Sequence, residues 1–378
     1  MRTRHFWLGL IRRAWRSRTV VWLAGVRRAG KTTLCGSLPG AEYFDCELPR
    51  VRNMLAQPEA FLDGMRGKTV VLDEIHRLAN PSELLKIAAD HYRNVRIIAT
   101  GSSMLGASSR FRDTLAGRKA ELWLTPMMSV DLADFGRTDL KRRLLHGGLP
   151  SFFLPDNVPE RDFQEWMDAY WAKDIQELFR LERRHSFQRF TELLFAQSGG
   201  MFEATRFTRV CEVSRTTITN YLSVLEATYV VHVLRPFSAR RATEIISAPK
   251  VYGFDTGFVC YHRGWHTLRQ DDLGPLWEHY VLNELHARLQ TRQIRYWRDK
   301  RQHEMDFVLV PHGRAPVAIE CKWSASGFDP SSLLAFRRLH KQGQNYVVAQ
   351  DVERSFTQTY EGCQVNFVSL SQLIDKIG

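Results

Sequence analysis

The 378-residue sequence lacks the usual marks of a secreted or membrane-spanning chain. Its six cysteines include no CxxC pair and no cysteine–histidine cluster at zinc spacing, so we expect no disulfide framework and a reducing cytosol. No apolar run reaches the ~18 residues of a membrane span. No small-residue cleavage site follows the short apolar patch near the start. We therefore expect a cytoplasmic location and no membrane partner.

The chain also lacks internal repeats and long Ser/Gly/Pro linkers, and it is short of acidic residues. It has 53 Lys and Arg against 41 Asp and Glu, which gives a formal net charge of +12. This excess favours a polyanionic partner such as nucleic acid, although many basic proteins bind none. The apolar share of 44% is that of a globular protein, which excludes a mainly disordered or collagen-like chain.

Short apolar runs alternate with helical patterns between residues 19 and 135. The runs are apolar almost throughout, as strands buried on both faces must be, so this stretch predicts a parallel α/β sheet. Residues 140–235 show mostly helical spacing. From about residue 236 the pattern is mixed, with a long helix followed by strand-like segments.

The first apolar run is followed by GVRRAGKT at 25–32, which matches GxxxxGK[ST] between a strand and a helix. The glycines let backbone N–H groups point at phosphate, Lys31 would reach the β- and γ-phosphates, and the Thr32 hydroxyl would hold Mg²⁺. The expected cofactors are therefore ATP and Mg²⁺. The side chains of Arg27 and Arg28 are expected to face solvent or a partner rather than to act in catalysis. The other nucleotide-contacting positions predicted in this loop are Gly25, Arg28, Ala29, Gly30 and Thr33.

A second apolar run ends in two acids, VVLDE at 70–74. Asp73 would orient the Mg²⁺ shell, and Glu74 would polarise the attacking water as general base. The next run ends in ATGSS, where Thr100 or Ser102 could sense the γ-phosphate, and the sequence does not choose between them. Arg118, in LAGR, is the candidate arginine finger, acting in cis or from a neighbouring subunit.

The stretches TVVLDEIHRL, IIATGSS, LAGR, HGGLP (146–150) and PKVYGFDTG (249–257) resemble a family of prokaryotic AAA-superclass ATPases. Its members join an N-terminal ATPase module to a C-terminal domain of unknown function with a restriction-endonuclease-like core. The resemblance covers nearly the whole chain, with the motifs in family order. AAA-type relatives often form rings, and in such a homo-oligomer Arg118 would act on a neighbour, but no feature of this sequence fixes a ring.

A second set of chemical residues lies near the C-terminal end. Asp306 stands in EMDFVLV and Glu320 and Lys322 in AIECKW, and the turn residues between them predict a hairpin. Side chains two apart share a strand face, so Glu320 and Lys322 project together beside Asp306. This arrangement resembles PD-(D/E)xK nucleases. The resemblance implies that Asp306 and Glu320 hold Mg²⁺ against a scissile phosphate while Lys322 positions or activates water. It also implies a helical glutamate, for which Glu278 fits best and Glu284 is second.

Residues 203–254 predict a helix–turn–helix followed by two strands, as in a winged helix, with Ser214 capping the second helix. Such a module would place its second helix in the major groove and its wing on the DNA backbone. The alternative is a packing module that couples the ATPase to the C-terminal domain. The residues expected on DNA are Arg215, Thr216 and Asn220 on the helix and Arg240 and Arg241 at the wing tip.

We therefore expect an α/β protein in three parts. An AAA-type P-loop ATPase domain would occupy 1–138, a helical and winged-helix-like region 139–257, and a PD-(D/E)xK nuclease-like α/β domain 258–378. The expected function is ATP hydrolysis coupled to nucleic acid, with DNA favoured, through the nuclease-like domain. The alternative is an ATP-dependent regulatory switch that binds a protein partner and carries an inert nuclease-like domain.

Overall fold

The computed structural model describes residues 3–101, 115–157, 159–179, 181, 183–238, 248–310 and 312–377. The predicted site residues Ser102, Arg240 and Arg241 lie outside the described residues. The chain divides into two compact units that interleave along the sequence. The first comprises Met1–Asp139, Gly148–Gln188 and Thr219–Val230, and the second Leu140–Gly147, Arg189–Ile218 and Val231–Gly378. The predicted division into three consecutive parts stays a prediction.

The first unit is built on a five-stranded sheet whose spatial order is β2-β3-β4-β1-β5. All neighbouring strands are parallel, which confirms the predicted N-terminal α/β sheet. The order places β4 between the strand that leads into the glycine-rich loop and the strand that ends in two acids. The strands are Val20–Ala24 (β1), Ala41–Asp45 (β2), Thr69–Asp73 (β3), Arg96–Gly101 (β4) and Lys119–Trp123 (β5).

Helices connect and flank these strands, and a π-helical segment, Trp171–Ile175, lies between α9 and α10. Within the described residues, no helix is both long and apolar enough to cross a bilayer. The helices up to this point in the chain are His5–Ala14 (α1), Lys31–Gly36 (α2), Pro49–Met54 (α3), Pro58–Gly64 (α4), Pro81–His91 (α5), Ser129–Asp134 (α6), Leu140–His146 (α7), Pro150–Phe153 (α8), Glu160–Tyr170 (α9) and Gln176–Phe179 (α10).

The remaining helices include one that is buried on nearly every side, because its apolar residues do not keep to a single face. That helix, α15, anchors to the second unit's sheet through the Trp277 indole N–H, which donates to the Val348 carbonyl at 3.0 Å. The helices are Arg184–Ala196 (α11), Ala204–Cys211 (α12), Arg215–Ala227 (α13), Thr256–His262 (α14), Gln270–Leu289 (α15), Ser331–Leu339 (α16) and Leu370–Ile377 (α17).

The second unit holds a nine-stranded mixed sheet of order β13-β14-β12-β11-β10-β9-β7-β8-β6. The two strands predicted for a wing, β7 and β8, pair antiparallel with each other, and β7 continues the sheet by pairing in parallel with β9. The strands are Gly200–Met201 (β6), Val231–Pro236 (β7), Lys250–Gly253 (β8), Ile294–Arg298 (β9), Glu304–Leu309 (β10), Val317–Lys322 (β11), Asn345–Ala349 (β12), Phe356–Tyr360 (β13) and Cys363–Val368 (β14).

Two of the sequence motifs meet inside this second unit, and glycines let them approach. The Asp255 carboxylate accepts the Gly257 N–H at 2.8 Å and caps α14. Gly147 has a φ of +81°, and a Cβ there would lie 1.9 Å from that carboxylate. A Cβ at Gly257 would lie 2.4 Å from the His146 carbonyl oxygen. Both motifs therefore need glycine where α7 ends against the start of α14.

Gly257→Ala is expected to lower the free energy of unfolding by about 1–3 kcal/mol, because the added methyl group collides with a backbone carbonyl. Gly9→Ala is the matched control, since Gly9 lies inside α1 with open space at its Cβ position. The control should raise stability by about 0.5–1 kcal/mol. Urea unfolding followed by circular dichroism measures both. An unchanged midpoint for Gly257→Ala would show that the close approach is not a constraint.

Candidate functional site

The glycine-rich loop joins β1 to α2, and its backbone takes conformations that favour glycine. Gly30 has a φ of 95° and Gly25 a φ of 150°. A Cβ at Gly25 would lie 2.4 Å from the Leu124 carbonyl oxygen, so no larger residue fits beside the segment that follows β5. Arg28 has a φ of 64°, in the left-handed region that non-glycine residues adopt at a cost. Its side chain is exposed, as predicted.

Lys31 turns back over this loop. Its ammonium group donates to the carbonyl oxygens of Gly25 at 2.7 Å and Val26 at 3.1 Å. The side chain is buried, and burial lowers the pKa of Lys31, while the nearby carboxylates of Glu74, Asp174 and Asp73 oppose that shift. A desolvated cation held at the mouth of a glycine-rich loop is suited to phosphate.

The Asp73 carboxylate collects hydroxyl donors from three elements. Thr32, at the start of α2, donates to it at 2.8 Å, and the hydroxyls of Tyr43 on β2 and Thr100 on β4 also donate to it. The Thr100 hydroxyl in turn accepts the backbone N–H of Glu74 at 3.0 Å. Thr100 thus contacts both acids, because β4 lies between β1 and β3. The sequence did not single out Tyr43.

Glu74 leaves the sheet immediately after β3, with a φ of 52°. Its carboxylate lies 3.2 Å from the His76 ring nitrogen Nδ1. Burial raises the pKa of Glu74, and the Lys31 charge works against that rise. The side chain lines the same cavity as Lys31 and Thr32. A carboxylate with a raised pKa is a better general base than an exposed one.

Two cavities of the first unit meet at this network. One has a volume of about 830 Å³ and combines the loop residues with an apolar wall that includes Phe135, Pro150 and Leu154. The other, of about 230 Å³, is lined mainly by charged and polar side chains, Asp73 and Asp174 among them. The larger volume is within the range of ordinary small-molecule sites.

The sequence analysis missed one residue of this site, Asp174, and its pairing with Arg27. The Arg27 Nε donates to the Asp174 carboxylate at 2.9 Å, and Asp174 is only 2% exposed. The Arg27 side chain, expected to face solvent or a partner rather than to act in catalysis, is thus half-buried and pairs with an acid of its own chain. One signal was available: Asp174 occupies the apolar stripe of its helical segment, three and four residues after the buried Trp171 and Tyr170. An acid in that position needs a buried partner.

The structure does not bring Arg118 to the glycine-rich loop of its own chain. Arg118 immediately precedes β5, whose first residue Lys119 pairs with Val20, at the end of β1 opposite the loop. The Arg118 Nε donates to Asp90 at 2.7 Å. A role as finger in cis is therefore not supported by its position, and a role on a neighbouring subunit stays a prediction.

In the second unit, the four predicted C-terminal residues lie together. The Asp306 carboxylate on β10 accepts the backbone N–H of Cys321 at 2.8 Å, and Lys322 on β11 donates to Glu320 at 2.8 Å. Burial and the charges of Glu278 and Glu320 raise the pKa of Asp306 well above its usual range. Glu278, on α15, is thus the helical glutamate of the cluster.

Glu284, the second choice, is buried on α15, and its carboxylate lies 3.7 Å from the Arg288 side chain one turn further along the helix. The sequence analysis missed two residues that contact the helical glutamate of this cluster. The buried ammonium of Lys250 donates to Glu278 at 3.2 Å and to Glu304 at 2.6 Å, and the Tyr252 hydroxyl also donates to Glu278. A lysine in the otherwise apolar strand KVYG was the available signal.

One carboxylate oxygen of this cluster accepts no hydrogen bond from the described residues. The Glu320 Oε2 atom is buried and has no hydrogen-bond partner within the part of the chain that the structure describes. Among the residues that the structure describes, no three His, Cys, Asp or Glu side chains are arranged to hold a metal ion by themselves. The cluster is therefore a set of acids balanced by lysines, with one acceptor atom to spare.

The predicted DNA-contacting helix is present as α13. The Ser214 hydroxyl accepts the Thr217 N–H at 3.1 Å and caps the helix, as the sequence predicted. Arg215, Thr216 and Asn220 are exposed on α13. The winged-helix assignment and the contact with DNA stay predictions.

Comparisons with known proteins agree with the nucleotide-site geometry. Residues 17–132 match an AAA domain family, residues 137–269 match the domain of unknown function DUF8612, and residues 273–372 match the domain of unknown function DUF4143. The uncharacterized proteins Rv2008c of Mycobacterium tuberculosis and Mb2031c of Mycobacterium bovis are each 30% identical to this chain. Each alignment covers 82% of this chain and 72% of the relative.

Two solved archaeal structures are also similar. The Walker-type ATPase PABY2304 of Pyrococcus abyssi is 14% identical, with a TM-score of 0.43 over 70% of this chain and 96% of its own. The signal transduction ATPase with numerous domains PH0952 of Pyrococcus horikoshii, which has a tetratricopeptide repeat sensor, is 12% identical. Its TM-score is 0.29 over 75% of this chain and 45% of its own.

The glycine-rich loop, the acid pair and the AAA match together define an AAA-type P-loop ATPase domain in the N-terminal part of the chain. This confirms the first part of the predicted resemblance. The chain belongs to the same family as the two mycobacterial proteins. Nothing in these comparisons bears on a restriction-endonuclease-like core.

Thr100→Val is expected to slow ATP hydrolysis about 10–100-fold while leaving ATP binding nearly intact, because Asp73 and the Glu74 amide lose the hydroxyl that orients them. Steady-state phosphate release and equilibrium nucleotide titration measure the two effects. Thr125→Val is the control, since it also removes a buried hydroxyl of the first unit, which donates to the Pro126 carbonyl. Equal losses in both variants would point to a general packing defect.

Proposed function

We propose that the protein binds ATP with Mg²⁺ and hydrolyses it at the P-loop of the first unit. The observation that carries this proposal is the hydrogen-bonded network in which Asp73 is bonded to Thr32 and Thr100, next to Lys31 and Glu74. The network borders the cavity of about 830 Å³. The match to an AAA domain over residues 17–132 supports the same function.

Each member of the network has a role in this proposal. The loop amides and the Lys31 ammonium bind the phosphates, and Glu74 takes a proton from the attacking water. Thr32 and Asp73 would hold Mg²⁺, because they offer hydroxyl and carboxylate oxygens 2.8 Å apart, and this ion prefers oxygen ligands. When bound, Mg²⁺ neutralises charge on the phosphates. The apolar wall of Phe135, Pro150 and Leu154 would pack against the base.

Lys31→Ala is expected to weaken ATP binding at least about tenfold, because the buried cation is lost. Glu74→Gln should keep ATP binding and reduce turnover about 10²–10⁴-fold, because the amide cannot accept the proton. Fluorescent-nucleotide titration and phosphate release measure these effects. Lys86→Ala, at an exposed lysine on α5, is the control. Wild-type turnover by Glu74→Gln would remove Glu74 from the mechanism.

For the second unit we propose a phosphodiester site of the PD-(D/E)xK kind. The support is the element order α15-β9-β10-β11-α16-β12, with Asp306 on β10, Glu320 and Lys322 on β11, and Glu278 on the preceding helix. Asp306 and Glu320 would hold Mg²⁺, because one Glu320 oxygen is buried with no hydrogen-bond partner among the described residues. Lys322 would position the attacking water.

We propose DNA as the partner of the protein. Its support is the net charge of +12 and the exposed Arg215, Thr216 and Asn220 on α13, which a winged helix would turn towards the groove. A homo-oligomer would complete the ATPase site with Arg118 from a neighbour, which fits the position of Arg118 away from its own P-loop. The net charge acts through the phosphate backbone, so DNA affinity should fall steeply with salt.

The alternative function is a regulatory switch whose nuclease-like cluster is inert. The observation that favours it is the internal neutralisation of the acids: Lys250 bonds Glu278 and Glu304, and Lys322 bonds Glu320. Ammonium groups already in place would compete with a metal ion. In this case the ATPase would act on a protein partner.

Cleavage of plasmid and single-stranded DNA with Mg²⁺ or Mn²⁺, with and without ATP, separates the two functions. Under the nuclease proposal, Asp306→Ala and Lys322→Ala should each reduce cleavage at least about 10²-fold, because metal ligand and water are lost. Asp375→Ala and Lys376→Ala, exposed on α17 of the same unit, are the matched controls. Intact DNA with the wild type would favour the switch, and cleavage by Asp306→Ala would exclude this cluster as the site.

A further inference from the structure

Asp174 is a buried acid that reaches the nucleotide site from outside the known motifs. It lies in the π-helical segment Trp171–Ile175, between α9 and α10 of the first unit. Single turns of π-helix occur often at functional sites. Here Asp174 is 2% exposed and pairs with Arg27 at 2.9 Å.

Arg27 belongs to the P-loop itself. Its backbone and its side chain are held by different residues. The Trp166 indole N–H, on α9, donates to the Arg27 carbonyl at 3.1 Å and fixes the loop backbone. The guanidinium is 24% exposed and lines both the cavity of about 830 Å³ and the cavity of about 230 Å³. The side chain can therefore change partner while the loop keeps its shape.

The Arg27–Asp174 pair lies close to other charged side chains of the site. The carboxylate of Asp174 acts on Lys31 and on Glu74, as Asp73 also does. A terminal phosphate arriving beside Lys31 would compete with Asp174 for the guanidinium, because this cation donates charge-assisted hydrogen bonds to phosphate and carboxylate alike. A diphosphate has no terminal phosphate in that place, so it would leave the pair intact.

We propose that Asp174 is a positioning residue that tunes the preference of the ATPase site between nucleoside triphosphate and diphosphate, by holding Arg27 until the terminal phosphate takes it over. The inference rests on the proposed ATP binding. Releasing Arg27 leaves a buried carboxylate without its cation, which is costly. In the wild type that cost opposes triphosphate binding, and this fixes the sign of the expected effect.

The experiment measures equilibrium affinities of the full chain for a non-hydrolysable ATP analogue and for ADP, both with Mg²⁺. Asp174→Asn should tighten the analogue about tenfold, or 1.4 kcal/mol, and change ADP less than about twofold. In an Arg27→Ala background the same substitution should tighten the analogue much less than in the wild type, because only the direct effect of the Asp174 charge on the site then remains. Arg27→Lys should restore only part of the response, since an ammonium group lacks the several fixed donors with which a guanidinium can bind phosphate.

Asp168→Asn is the matched control. Asp168 lies on α9, is 60% exposed and pairs with Arg184, so its loss should leave both affinities unchanged. If Asp174→Asn does not fold, Arg27→Ala alone still tests the exchange, since it should reduce the preference for the analogue over ADP.

The outcomes separate the two proposals. Wild-type protein that binds neither nucleotide overturns the proposed function and this inference together. Wild-type protein that binds both, with an unchanged ratio in Asp174→Asn, overturns the inference alone. Equal tightening by Asp174→Asn with and without Arg27 also overturns it, because Asp174 would then act only as a charge and not by holding Arg27.

Discussion

The carboxylate of Asp73 is the interaction on which the first unit's site depends. It accepts hydroxyl groups from Thr32, Tyr43 and Thr100, which belong to three different elements of the unit. The strand order makes this geometry available, because β4 lies between the strand of the P-loop and the strand of the acid pair. A buried carboxylate with several donors is held in one orientation. The position of Glu74 follows, since the Thr100 hydroxyl also binds its amide.

The sequence predicted the features that depend on a short stretch of chain, such as strands buried on both faces and positions that require glycine. The central strands β1, β3 and β4 are continuous apolar runs, and the P-loop spacing reflects a backbone that only glycine permits at Gly25. The Asp306, Glu320 and Lys322 set was also visible, because alternation along two strands of a hairpin determines which side chains share a face. In each case the constraint is local in the chain.

Contacts between residues far apart in the sequence could not be predicted in this way. Asp174 meets Arg27 across 147 positions, and Lys250 meets Glu304 across 54, so neither pair follows from spacing. Arg118 shows a related limit: its motif gives no strand direction, and only the register with β1 shows that it lies opposite the P-loop. The strands β7 and β8 were expected as a wing, and only their pairing shows that β7 extends the sheet through β9.

Each unit has charged site residues that are neutralised by an ion pair within the same chain, but the sign of the neutralised charge differs. In the first, the cation Arg27 is held by the buried acid Asp174, so an anionic ligand must compete with a carboxylate. In the second, Glu278 and Glu320 are held by Lys250 and Lys322, so a metal ion must compete with ammonium groups. The net charge of +12 does not indicate the local charge at either site, because that charge depends on which acids and bases are paired there. In both units an ion pair between side chains of the same chain therefore sets the local charge of the site, and in the second unit one Glu320 oxygen is buried with no hydrogen-bond partner among the described residues.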